Sequence, residues 1–202
     1  MASIEKSIIS RIKAKQRGAC FTPKVFLDLG SPEAVRIALH RIEKRGIIRR
    51  LARGLYDFPT QHPTIGLLSP HPNQVAKALS ERDAARLQPS GAYAANVLGL
   101  SEQVPARIVF LTDGPARHVR VGRQEIILKH TTPRNMATAG RASGTVIQAL
   151  RHIGVKQINQ RHIAHLREAL SAADRAQLQR DRICAPGWMH RILDAIAEGA
   201  HV

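Results

Sequence analysis

An α+β fold is predicted by this 202-residue sequence. It comprises a helical N-terminal unit closed by a basic hairpin, and a mixed C-terminal unit with a small antiparallel sheet and a helical tail. Three observations predict it. Two proline-headed helix starts, Thr22-Pro23 and Ser31-Pro32, flank Gly30 and lead into the stretch IIRRLARGLYDF. Pro59, Pro63, Pro70 and Pro72 crowd residues 59–73. Beyond them, strand-like runs with glycine turns precede a long tail of helical periodicity.

At the front, Ile4, Ile8, Ile9 and Ile12 recur at helical spacing and mark an amphipathic first helix. Its apolar side is short and has no tryptophan or phenylalanine, which disfavours a membrane-surface role despite Lys6, Lys13 and Lys15. Thr22 and Ser31 each supply a hydroxyl directly before a proline, the arrangement of an N-cap followed by a first-turn proline. Two short helices follow from this. Between them Gly30 is expected to be left-handed, stopping the first helix and bending the chain. Val35, Ala38, Leu39 and Ile42 share one face of the second helix and go to the core. The opposite face carries Arg36, Ile37, His40 and Lys44, with Arg41 at its edge. Past Gly46, two short apolar runs around Ala-Arg-Gly signal a hairpin. This order reads as a winged helix-turn-helix domain over residues 1–60.

Residues 61–73 are read as a proline-rich linker, because that proline density forbids a regular helix or central strand. A second domain over 74–202 starts with a helix through Val75, Ala78, Leu79 and Ala85 to about Leu87. Ser90 then caps a shorter helix through GAYAANVLGL. RIVFLTDG, RHVRVG and QEIILKH are expected strands, the last two forming a hairpin. Helices are expected near 142–153, 159–170, 171–183 and 187–198, the last carrying Trp188 with Ile192, Leu193 and Ile196 at core spacing.

Charge points to a partner. The chain holds 31 basic and 15 acidic residues, a net +16, of which residues 1–60 carry 13 basic against 5 acidic, a net +8. From Arg36 to Arg53, seven basic residues stand against the single acid Glu43. That density needs a polyanion. Double-stranded DNA fits, with Ser31, Arg36, Ile37, His40, Arg41 and Lys44 on the reading helix and Ile37 placed to meet a thymine methyl. Arg49, Arg50 and Arg53 of the hairpin would lie along phosphates, adding affinity and register without reading sequence. A solvated basic hairpin is the plainer alternative. The remaining +8 leaves room for a second contact with nucleic acid or an acidic partner. Aromatic residues make up only 3%, which weighs against a single-strand binder that stacks bases on rings.

Other chemistries find little support. Cys20 and Cys184 are far apart and suggest neither zinc nor a disulfide framework. No long apolar run or secretory leader pattern is present, so a soluble, cytoplasmic protein without a membrane partner is expected. Asp113, Glu125 and Lys129 come in the order of a metal-dependent nuclease core. The acid and lysine there are two apart, whereas Glu125 and Lys129 are four apart. His162 and His165, with His152 upstream, have a spacing that can chelate metal but no acidic or cysteine ligand nearby. Ser143, Gly144 and Thr145 read as a helix start, and no phosphate-binding glycine loop occurs. No catalytic, cofactor or metal site is expected, and the chain is not read as an enzyme.

The runs GIIRRLARGLYDFP, SGAYAANVLGLSEQVPARIVFLTDGPAR and LKHTTPRNM resemble the AbiEi-type antitoxins and transcriptional regulators of type IV toxin–antitoxin systems. The stretch from Ser90 to Arg117 is the most specific part, and the resemblance covers about residues 3 to 140. It implies a bacterial repressor that binds inverted repeats in its own promoter and opposes an AbiEii-like nucleotidyltransferase toxin without a stable complex being required. Two alternatives are direct protein–protein neutralisation of the toxin and a plain winged-helix transcription factor. No residue of toxin neutralisation transfers from the family.

Overall fold

The computed structural model describes residues 3–198. The fold is α+β, with helices predominating and small antiparallel sheets. The chain divides into two compact units, residues 1–85 with 118–126, and residues 86–117 with 127–202.

In the first unit α1 (Ile4–Ala14) buries Ile8 and Ile12 and is capped by the Ser3 hydroxyl. After β1 (Cys20–Phe21), Pro23–Phe26 make one 3-10 turn instead of the helix that Thr22-Pro23 suggests. Thr22 is buried and its hydroxyl makes no cap, so nothing propagates the turn. α2 (Pro32–Lys44) does start as expected, with Ser31 Oγ accepting from the Ala34 N–H at 3.3 Å. Gly30 corrects a second expectation, since it is absent from the positive-φ glycines. Its role is close approach: a Cβ there would stand 2.6 Å from Ile4 Cδ1 of α1.

β2 (Arg49–Ala52) and β3 (Leu55–Asp57) form the expected hairpin, and β3 pairs with β1 on its other side, giving the order β1-β3-β2. Ile8, Ile12, Phe21, Phe26, Val35, Leu39, Ile42, Ile48, Tyr56 and Phe58 share one core, to which α1, β1, the 3-10 turn, α2 and β3 all contribute apolar surface. Burying each large side chain contributes about 1.5–3 kcal/mol, and truncating one to alanine costs about 2–5 kcal/mol.

The proline-rich stretch does not end this unit. Residues 61–67 form a minimal ladder of β4 (Gln61–His62) and β5 (Gly66–Leu67). α3 (Pro72–Asp83) then packs against β1. Proline at N1 is compatible with a helix start, which is why Pro72 begins α3. The helix stops at Asp83, where Ala84 turns left-handed (φ 52°), short of the expected Leu87.

In the second unit β6 (Leu87–Ser90), which the helical reading of that stretch misses, pairs antiparallel with β7 (Arg107–Thr112), Leu87 facing Thr112 and Ser90 facing Val109. β8 (Arg117–Val121) and β9 (Gln124–His130) follow, residues 118–126 of them counting with the first unit, and the strand order is β6-β7-β9-β8. α4 (Gly91–Val97) packs on α6 (Ala142–Ile153), after a single helical turn α5 (Pro133–Met136). Ser90 makes no cap for α4; its hydroxyl donates to Gln148 of α6 at 3.3 Å. α7 (Gln160–Ala169), α8 (Ala172–Asp181) and α9 (His190–Ala197) complete a helical cluster around Val146, Leu150, Leu166, Leu178, Leu193 and Ile196. Trp188 stays 41% exposed in a 3-10 turn before α9, and Met189 takes the core position beside it. No helix among the described residues is long and apolar enough to cross a membrane.

Candidate nucleic-acid interface

α2 turns Val35, Ala38, Leu39 and Ile42 inward, and this dictates its outer face. Arg36, Ile37, His40, Arg41 and Lys44 are all exposed there, Ile37 to 40%. Between this face and the β2–β3 hairpin lies a cleft of about 530 Å³ bordered by Arg36, His40, Arg50, Arg53 and Tyr56. Tyr56 forms its inner wall, stacked on Phe21 with ring centroids 6.2 Å apart, and burial pushes its phenol pKa up. The phenol therefore stays protonated at neutral pH.

Strand alternation sorts the hairpin arginines. Arg49 stands opposite Asp57 and Arg50 opposite Tyr56, and successive side chains point to opposite faces. Arg49 donates to both oxygens of buried Asp57, at 3.1 and 2.6 Å, and to the Leu68 carbonyl at 2.8 Å. The Arg49 guanidinium, expected at a phosphate, is therefore engaged within the fold. Arg50 and Arg53 remain exposed, Arg53 in the two-residue turn with Gly54.

The acids of this region are also spoken for. Glu33, one turn from Arg36, accepts from its Nε at 3.0 Å and from Nη2, and this holds the Glu33 carboxyl below its usual range. Glu5 pairs with Arg45 at 2.5 Å, Asp28 with Arg11 at 2.7 Å, and Glu43 lies 3.8 Å from His40. Arg41, Lys44, Arg50 and Arg53 have no carboxylate partner among the described residues. Within the cleft's own lining Arg50 and Arg53 thus lack a carboxylate partner, while Glu43 borders it beside His40. Sequence reasoning missed Asp57 and Tyr56, whose parts depend on the hairpin register.

A family match spans both units, a family of unknown function (DUF6088), over residues 7–178. The chain belongs to the DUF6088 family. No curated protein matches it. The match to DUF6088 takes in α2, the hairpin and most of the second unit.

Elsewhere, Asp113, His162, His165 and Ser143, considered for catalysis or metal binding, have structural partners. Asp113 accepts from the Arg86 backbone N–H at 2.8 Å and its Nε at 2.7 Å, which holds its carboxyl low. His162 Nδ1 accepts from the Asn159 N–H to close a capping box on α7, and His165 Nε2 lies 2.8 Å from the Leu98 carbonyl. Ser143 donates to buried Asp181, which also holds Arg141. Among the described residues no group of three or more His, Cys, Asp or Glu is placed to hold a metal. Cys20 is a buried free thiol, and burial pushes its pKa up to about 12.

Proposed function

We propose that this chain is a cytoplasmic, DNA-binding transcriptional autorepressor and the antitoxin of a type IV toxin–antitoxin system. Its first unit acts as a winged helix-turn-helix, with α2 as the reading helix and the β2–β3 hairpin as the wing. The observation that carries the DNA reading is Arg50 and Arg53, without carboxylate partners among the described residues, lining a cleft beside the exposed face of α2, on which Arg41 and Lys44 are likewise unpaired. Such charge attracts phosphates strongly and independently of sequence, while an exposed helix face offers groups to base edges. Arg36 and His40 then read bases, with Ile37 against a thymine methyl, and Arg50 and Arg53 hold the backbone.

The antitoxin half of the proposal rests on the resemblance of the Ser90–Arg117 run to AbiEi-type proteins, whose partner is a nucleotidyltransferase toxin. A footprint of the purified protein on the DNA upstream of its own gene, at two salt concentrations, tests the DNA half. Protection of an inverted repeat that weakens steeply with salt is the expected result; no protection at low salt overturns it. Rescue of cells expressing an AbiEii-like nucleotidyltransferase tests the other half: restored growth is the expected result, and unrelieved toxicity overturns it.

A further inference from the structure

A second group of basic residues without carboxylate partners sits apart from the α2 cleft. Lys6 and Lys13 are exposed on α1, and Lys15 and Arg17 follow in the loop after it. None of the four has an acidic partner among the described residues. Lys15 and Arg17 border a cleft of about 490 Å³ with Thr60, Ser69, His71 and Gln74, all within the first unit. This cleft shares no lining residue with the one beside α2.

Its donors are arranged in advance. The Arg17 guanidinium lies 4.7 Å over the Phe58 ring and donates from Nη1 to the Pro59 carbonyl at 3.0 Å, so its position is set while Nε and Nη2 remain for an incoming acceptor. His71 Nδ1 accepts from the Asn73 N–H at 3.3 Å, which leaves Nε2 to carry the ring proton. Lys15 adds an ammonium, Gln74 an amide and Thr60 and Ser69 hydroxyls, and no acid borders the cleft. A fixed guanidinium, a mobile ammonium and several neutral donors suit a group with three acceptor oxygens and more than one charge. The volume falls in the range of small-ligand sites.

We propose that this cleft binds a phosphate ester group, carried by a small free ligand or by the backbone of a nucleic acid. Because the cleft lies within the first unit and shares no lining residue with the cleft beside α2, the site does not depend on α2 reading DNA.

Calorimetric titration of the full chain with sodium pyrophosphate at low salt tests the site. Saturable binding is expected, weakened about tenfold by Lys15→Gln and unchanged by Lys156→Ala, which removes an exposed charge of the second unit. Arg17→Lys, which keeps the charge but loses the fork, should weaken it less than Arg17→Gln. In a parallel arm, a Lys15→Gln variant that lowers the salt slope of duplex binding by about 0.9 assigns the site to backbone phosphate. An unaltered slope with weakened pyrophosphate binding assigns it to a free ligand. An unaltered slope together with pyrophosphate binding that is absent or indifferent to Lys15→Gln overturns the proposal. A protein that binds pyrophosphate here but no DNA removes the function proposed above and leaves this site standing.

Discussion

Arg49 and Asp57 face each other across the first hairpin and make a two-point ion pair, with Asp57 only 1% exposed. The pair ties β2 to β3, and the third bond of Arg49, to the Leu68 carbonyl, ties the hairpin to the segment after β5. Removing either member strands a charge that the other was holding. Arg49→Ala should therefore destabilise the protein by about 3 kcal/mol, the usual scale for breaking a largely buried pair. Chemical denaturation checks the size. The salt slope of DNA binding, measured where the variant is still folded, should match wild type; a drop would return Arg49 to the phosphate contacts.

Arg50→Ala and Arg53→Ala should behave in the opposite way. Both side chains are exposed, so stability should change by less than about 0.5 kcal/mol. Affinity for specific and random duplex should fall alike, with the slope of log K against log salt flattening by roughly 0.9 for each lost contact. Titrations at three or more salt concentrations read this directly.

Arg36→Ala and His40→Ala should instead lower the ratio of specific to random binding, by about 1–3 kcal/mol of discrimination for a bidentate base contact. Glu33→Gln makes a companion test, since Glu33 holds the Arg36 guanidinium in the free protein. Freed of that partner, Arg36 should bind both duplexes more tightly. Equal losses on both sequences for Arg36→Ala would remove it from the reading residues.

How much of this was legible in the residues depends on register. The hydroxyl-proline start at Ser31 and the spacing of Val35, Ala38, Leu39 and Ile42 identify α2 and its faces, because both signals are local. The hairpin is different. An unbroken ladder from Ala52 and Leu55 would set Arg50 against Asp57, but a bulge between Arg50 and Ala52 moves the pairing by one and puts Arg49 there. A one-residue slip exchanges the faces of a strand, so three adjacent-looking arginines acquire two different roles. Gly30 and Trp188 were obscured because tertiary packing decides them: Ile4 of α1 closes on Gly30, and the neighbouring Met189 takes the core position in place of Trp188.

Acid should loosen the second unit through Asp181. Burial pushes this carboxyl up, but hydrogen bonds from Ser143, Gln177 and Arg141 outweigh that and hold it below its usual range. A carboxyl whose folded pKa is depressed adds stability above its unfolded value, near 3.9, and loses it as pH falls through the folded value. Thermal melts should therefore fall more between pH 5 and about pH 3 for wild type than for Asp181→Asn. Identical falls would take Asp181 out of the acid response.

Gly144→Ala should destabilise by about 1–3 kcal/mol, the cost of forcing extra volume into a packed site. A Cβ there would overlap the Gln88 side chain and stand 2.5 Å from the Thr138 carbonyl oxygen, and Gln88 itself is fully buried. A neutral result in urea denaturation would mean that Gln88 swings aside freely.

The order β1-β3-β2 has a practical consequence for anyone dividing this chain. The basic segment most tempting to excise runs from Thr22 to Phe58, yet the central strand β3 takes its second neighbour from Cys20 and Phe21, just upstream. Cutting there bares the backbone donors and acceptors of β3 at Tyr56 and Asp57, both buried in the intact protein. A bared apolar strand edge is a template for pairing with other chains. Such a fragment should precipitate or self-associate, and a failure to bind DNA would then report on solubility and say nothing about recognition.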